Sequence, residues 1–457
     1  MKNAIDALPL PPVYYRPDPT PTYYREDSNH NWIKLDVASA KLLITQAGYE
    51  TAKVDGISEV ERCLLRVQEE QNVAYAAPLA GYQAGFYDIN HRHVLVTESP
   101  RFITPKAGEW PTLKAVLDGM FAGDPHRQQE YLLAWWKLGV EVCRHQLQYA
   151  SQIMVLAGPR SSGKSLLQAL MTETFGGRSA QPYQFMSGQT PFNSDLMRAE
   201  HLLLEDESED ITMSKRRHLA GHIKKICASE TQQCHGKNKE AVTLTPIWRL
   251  SCSVNDDPER LQVLPPLDSD VADKMIILKV RSSPMPMTTA TPQERKLFWL
   301  QLTSELPAFL ADLESWQIPD ELIADRYGVR HFHHPDIVEV LLDSTPQIKL
   351  LELIDESWFR FAHEFGEGDM ANPWEASAVE IERYLREHAQ VKDQVGRLLN
   401  YPGKCAAYLG RLREEPAAED RVSYRKVNGY GRWTIQPPRR GCEPAAQVSM
   451  GDPPPAS

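Results

Sequence analysis

The chain has 457 residues, 42% hydrophobic and 24% charged, the proportions of an ordinary globular protein of several domains. A formal net charge of -11 excludes a surface built throughout to attract polyanions, so any nucleic-acid site has to be a local basic patch on an acidic body. Seven scattered cysteines without a CxxC pair argue against a zinc site or disulfide framework, and no leader or long apolar run points to secretion or a membrane, so reduced thiols in a cytoplasmic protein are expected.

Residues 1–28 are rich in Pro and Tyr with little periodicity, and read as an extended arm, either a subunit clasp or a disordered tail. Residues 29–109 read as a small α+β domain. In it Ser58 and Glu61 make a Ser-x-x-Glu capping box that opens a helix over 58–71, and His93 to Thr97 reads as a strand. Residues 110–150 carry helical spacing at Leu113, Val116, Leu117 and Met120, then at Leu132, Trp135 and Trp136, with the tryptophans expected in the core. The block 151–285 alternates short apolar strands (Ile153–Ala157, His201–Leu204, Arg249–Val254, Lys274–Val280) with helices, the pattern of a parallel sheet. A Ser/Pro/Met/Thr linker over 282–291 leads into a region, 286–370, expected to be helical. Residues 371–437 read as three helices and a β-hairpin turning at Asn428-Gly429, a winged-helix pattern, and the tail 438–457 as disordered.

Four features carry chemistry. Gly158-Pro159-Arg160-Ser161-Ser162-Gly163-Lys164-Ser165 is a complete phosphate loop between an apolar strand and a helix that runs on through Leu166. Its glycines permit backbone N–H groups to converge on phosphates, Lys164 is placed for the β- and γ-phosphates of ATP, and Ser165 for Mg²⁺. Second, a strand ends in Glu205-Asp206-Glu207. Asp206 in this register holds Mg²⁺ while Glu205 polarises water; in the alternative register Glu207 is the base. Third, the apolar strand 249–254 delivers Asn255 to its carboxyl end, where ligands of such sheets bind. Fourth, the basic segment 214–239 ends in a hairpin-like turn holding His235, Lys237 and Lys239.

In this order, from Gly158 to Asn255, the four features resemble superfamily 3 helicases, the AAA+ motors of viruses, phages and plasmids, and above all the helicase part of phage primase-helicases. The resemblance implies an AAA+ P-loop core at 151–285, a helical collar at 110–150 and a C-terminal winged helix. It also implies a homo-oligomer, a hexameric ring with ATP between subunits and single-stranded DNA in the pore, at work in a bacterial host cell. His235, Lys237 and Lys239 then grip DNA, and a separate primase or polymerase is an expected partner. The family's trans-acting arginine falls here on Lys274, with Arg260 and Arg281 as rivals. Residues 1–110 carry no primase acid pattern. Two other readings share these residues: an origin-binding initiator, and a remodeller that does not unwind.

Overall fold

The computed structural model describes residues 10–17, 20–205, 213–261, 263–265, 267, 271–343, 346–360, 372–388, 391–413, 420–427 and 430–438. The chain divides after Val340 into two compact units.

The first unit opens with an antiparallel sheet of β1 (Val13–Arg16), β2 (Thr22–Glu26) and β3 (Trp32–Leu35). Residues 13–16 and 22–26, expected within an extended arm, are therefore paired strands, with Val13 and Tyr23 at 1% and 0% exposure. The tyrosine pairs hid it: Tyr23 and Tyr24 point to opposite faces and are both buried, which erases the alternation that marks a strand. There follow α1 (Val37–Gln46), β4 (Lys53–Val54), β5 (Ile57–Ser58) and α2 (Glu59–Glu70). The capping box that opens α2 is present, with Glu61 N donating to Ser58 Oγ at 3.2 Å and Ser58 N to Glu61 Oε2 at 3.1 Å. β6 (Tyr75–Ala77), β7 (Gly85–Ile89) and β8 (Arg92–Val96) make a second three-stranded sheet.

α3 (Pro111–Met120) and α4 (Gln128–His145) turn their apolar faces into the same core as the phosphate-loop helix. Trp135 and Trp136 are buried there, and each indole N–H finds a partner: Gln152 O at 2.8 Å and Thr174 Oγ1 at 2.7 Å.

The central layer is built from β9 (Ile153–Ala157), α5 (Lys164–Phe175), β10 (Ser179–Ala180), α6 (Tyr183–Met186), β11 (His201–Leu204), α7 (Met213–Ala228), β12 (Gln232–Cys234), β13 (Val242–Leu244), β14 (Arg249–Val254), α8 (Pro258–Leu261), β15 (Met275–Lys279), α9 (Pro292–Ser315), β16 (Ile323–Ala324), β17 (Gly328–Val329), β18 (Phe332–His333) and α10 (Pro335–Asp343). Six of these strands form one all-parallel sheet in the order β10-β11-β14-β9-β15-β18. β9 is interior and all five of its side chains are at 0% exposure, which is why it reads as an unbroken apolar run. The sheet extends beyond the expected block: β18, in a region expected to be helical, adds a sixth strand beside β15. Its two residues sit in His331-Phe332-His333-His334, too short and too polar to show a strand period.

The second unit holds helices Pro346–Ile354, Ala378–Glu387, Lys392–Leu398 and Lys404–Leu412, and an antiparallel sheet in which Trp374–Ala376 and Val422–Val427 flank Tyr430–Ile435. The helices and hairpin fall where the sequence placed them. The strand Trp374–Ala376 was missed: its three residues are too few to show alternation. The Asn428-Gly429 turn and the tail from residue 439 lie outside the described residues.

Candidate functional site

In a parallel sheet the carboxyl ends of the strands share one edge, and β9 ends there in the phosphate loop. Gly158 sits so close to β15 that a Cβ would lie 2.3 Å from the Val280 carbonyl oxygen; any side chain would push the loop off the sheet. Gly163 starts α5 with φ +89°, a left-handed conformation that glycine adopts without strain. The first turn of α5 thus opens onto the loop with its unbonded N–H groups.

Lys164 is 9% exposed, and its ammonium donates to Gly158 O at 2.7 Å, Pro159 O at 2.8 Å, Ser162 Oγ at 3.3 Å and Asn255 Oδ1 at 3.3 Å. The last of these bonds joins two residues 91 positions apart that the sequence had selected independently. Together with Arg160, Ser161, Ser162, Gly163, Ser165, Leu166 and Glu205, they border a cleft of about 450 Å³. Ser165 and Glu205 are both exposed on it, two oxygen donors of the hard kind that suits Mg²⁺. Asp206 and Glu207 lie outside the described residues, so the choice of metal ligand and base rests with positions whose geometry is not described. Among the described residues no cluster of three or more His, Cys, Asp or Glu side chains forms a metal site.

Beneath the cleft lies a hydrogen-bond ring that sequence reasoning missed. The Thr172 hydroxyl donates to Gln168 O at 3.0 Å, so Thr172 Oγ1 accepts from His201 Nδ1 at 2.8 Å. His201 Nε2 is then the acceptor for the Ser251 hydroxyl at 2.8 Å, and Ser251 Oγ accepts from the Gln168 amide at 2.8 Å. The ring closes on Gln168 and ties α5 to β11 and β14, the elements that carry Lys164, Glu205 and Asn255. Burial pushes the His201 imidazole down to about 3, so it stays neutral, as this pattern of donors and acceptors requires. In sequence His201 is one polar residue at the start of an apolar strand, which gave no signal of its role.

The hairpin between the acidic and Asn strands is present. β12 and β13 pair antiparallel, Gln232 opposite Leu244 and Cys234 opposite Val242. At its tip Lys237 and Asn238 are exposed, whereas Lys239 folds back over Gly236 and is half-buried. His235 is also half-buried and its backbone is clamped by Asn193: His235 N donates to Asn193 Oδ1 at 2.7 Å, and Asn193 N to His235 O at 3.1 Å. Buried Asn193, which also donates to Gln233 O of the hairpin at 2.8 Å, was not anticipated.

Lys274 lies at the opposite edge. Met275 pairs with Ile153 at the amino ends of β15 and β9, so Lys274 is a full strand away from the phosphate loop of its own chain. It is 8% exposed and its ammonium meets Asp273 Oδ1 at 2.7 Å. Arg281 instead follows the carboxyl end of β15, on the phosphate-loop side, and is exposed; Arg260 is half-buried after β14.

In the second unit, several of the basic residues are already bonded to acids. Arg421 makes a two-pronged pair with Asp355 at 2.6 and 2.7 Å, Arg425 meets Glu375 at 2.6 Å and Arg432 meets Glu380 at 2.6 Å.

A family of unknown function, DUF5906, matches residues 156–270, the stretch from the phosphate-loop strand past Asn255. No curated protein matches. Two structures of the NrS-1 C-terminal region in the apo state are similar over 93% of this chain at 11% identity. One is covered over 97% of its length with a TM-score of 0.51, the other over 96% with 0.55. The likeness is one of fold. The SCCmec type IV Cch helicase aligns over 88% of this chain and 72% of its own, at 10% identity and a TM-score of 0.33, too slight to carry an argument.

Proposed function

We propose that this chain is an ATP-dependent DNA helicase motor of the superfamily 3, AAA+ kind, assembled as a ring. The observation that carries this reading is the meeting of Lys164 and Asn255 at the head of one cleft, with Glu205 on its rim and the basic hairpin between the two strands that lead there.

In this reading the Lys164 ammonium exchanges the carbonyls of Gly158 and Pro159 for the β- and γ-phosphates of ATP. Ser165 and Asp206 would hold Mg²⁺, which would supply positive charge against the phosphates. Glu205 orients the attacking water, with Glu207 as the alternative base, and Asn255 offers its amide to the γ-phosphate. The neutral His201 ring fixes the spacing of α5, β11 and β14, so a change at the cleft moves all three together. The hairpin rides between β11 and β14 in the chain. Lys237 reaches a phosphate of single-stranded DNA without reading bases, while Lys239 and His235 stiffen the tip from behind. Subunits bring Lys274, Arg260 or Arg281 to the neighbour's ATP. Lys274 first has to leave Asp273, whereas Arg281 is exposed, which makes Arg281 a stronger rival than it is on sequence grounds.

A second reading, of an initiator or remodeller, shares the nucleotide site and differs in what the C-terminal unit does. The carboxylate partners of Arg421, Arg425 and Arg432 favour a winged helix that docks protein over one that grips duplex DNA. A strand-displacement assay on forked DNA separates the readings: a helicase releases the labelled strand with ATP, whereas a remodeller turns over ATP and leaves the fork intact.

A further inference from the structure

We infer that the amino-terminal edge of the sheet carries a second anion site, centred on Arg249 and shaped for a free oxyanion the size of inorganic phosphate. Arg249 opens β14, at the opposite end from Asn255. It is 3% exposed, and arginine is almost never this buried without an anionic partner. Among the described residues its guanidinium donates from Nη1 to the carbonyl of Trp248 at 3.0 Å. The nearby buried carboxylate is already committed: Glu200 is paired with Arg178 and accepts from Gly81 N at 2.8 Å. The groups that act electrostatically on the guanidinium are instead the thiols of Cys143 and Cys227 and the phenol of Tyr149. Burial pushes both thiols up to about 12, so neither supplies a negative charge near neutral pH.

A buried, uncompensated cation is unfavourable relative to a paired one, so the fold retains Arg249 at a price unless something answers it. The structure offers room for that. Arg249 borders a cavity of about 60 Å³, lined also by Gln148, Ser151, Cys227 and Trp248, with Glu230 exposed on its wall. A volume several times the ~10–15 Å³ that one water needs admits a tetrahedral oxyanion. The planar guanidinium fork matches two oxygens of such an anion, where an ammonium would meet one. Glu230 is the internal rival: its carboxylate, swung inward, would answer the same charge.

The test is the thermal midpoint during a titration with inorganic phosphate at fixed ionic strength, made in the Lys164→Ala background to weaken phosphate binding at the loop. The site predicts a saturable rise that chloride does not reproduce. Adding Arg249→Met should raise the phosphate concentration for half the effect at least tenfold, and Arg249→Lys should fall between. Arg249→Met also removes an unanswered charge, so without phosphate its midpoint should equal or exceed that of the parent. Equal phosphate responses with and without Arg249 would overturn the proposal. Surface variant Glu230→Gln gives an independent arm that leaves the core intact. An anion site predicts tighter phosphate binding once the neighbouring negative charge is gone. Loss of stability without phosphate, and no gain in phosphate affinity, would identify Glu230 as the partner and end the proposal.

Discussion

Two lysines of the same sheet, one at each edge, are equally buried and differ in every other respect. Lys164 at the carboxyl edge is 9% exposed, its ammonium held by two carbonyls, a hydroxyl and an amide, beside a cleft of about 450 Å³. Lys274 at the amino edge is 8% exposed and paired with the carboxylate of Asp273. The acceptors that hold Lys164 belong to the phosphate loop and to Asn255 and so aim its ammonium at the cleft, whereas Lys274 is held by its own neighbour in the chain, at the far end of the sheet. Burial by itself therefore does not mark a working lysine, whereas the place where its partners hold it does. A further contrast sets the hairpin's exposed Lys237 against the carboxylate-bound Arg421, Arg425 and Arg432 of the C-terminal unit.

The comparison breaks most plainly at Lys164. Lys164→Ala should lower ATP hydrolysis by at least about a hundredfold, the loss usual when one charge-stabilising donor is removed, while the unfolding midpoint stays near that of the wild type. Substantial turnover in the folded variant would reverse the roles of the two lysines. Glu205→Gln sharpens the same site by retaining nucleotide binding and losing hydrolysis. If Glu207→Gln does this instead, the base lies two positions on.

Next in size is the effect of Lys274→Ala. If Lys274 acts on a neighbour's ATP, mixing it with Lys164→Ala protein restores part of the activity, because some interfaces carry both intact halves. Asp273→Asn removes the ion pair with Lys274 and should then raise turnover. If Lys274 is only Asp273's partner, mixing restores nothing, both variants lose stability, and Arg260 or Arg281 takes the trans role.

A smaller effect is expected at His201. Its folded pKa of about 3 lies below the ordinary histidine value of 6.5, so the unfolded chain takes up the proton first. The stabilisation is complete above pH 6.5 and is lost progressively as pH falls toward 3, at up to ~1.4 kcal/mol per pH unit. Burial lowers His222, His333 and His334 as well, so the measurement is the difference between the wild type and His201→Gln. Denaturant midpoints at pH 7 and pH 5 should differ less in the variant; an unchanged difference would mean His201 is protonated or exposed in solution. At pH 7 the variant should also lose kcat more than nucleotide affinity, because the ring spaces the strands rather than touching ATP.

The contiguous motifs were legible because their physics is local. A phosphate loop needs fixed glycines and one lysine in eight residues, a capping box needs a serine and a glutamate three apart, and β9 shows its burial as five apolar residues in a row. What escaped depends on partners distant in sequence. The His201 ring joins residues 83 and 50 positions apart, and Asn193 reaches a hairpin 42 residues on. The carboxylates that answer Arg421 and Arg432 lie 66 and 52 residues away, beyond the reach of any one segment of sequence. β18 and the β1–β2 hairpin failed for a different reason, since two residues or two adjacent aromatics show no period.

The central claim is that hydrolysis at the Lys164 cleft is coupled to DNA through the hairpin tip. Displacement of a labelled strand from a forked duplex, recorded together with ATP turnover for the wild type and for Lys237→Ala/Lys239→Ala, tests it most directly. The account predicts that the double variant keeps basal ATPase activity but loses strand release and stimulation by single-stranded DNA. Its log affinity for single strands should also fall less steeply with log salt, by about 0.7 for each phosphate that the hairpin no longer neutralises. Strand release at the wild-type rate by the double variant would contradict the account, and the grip on DNA would have to be sought elsewhere in the chain.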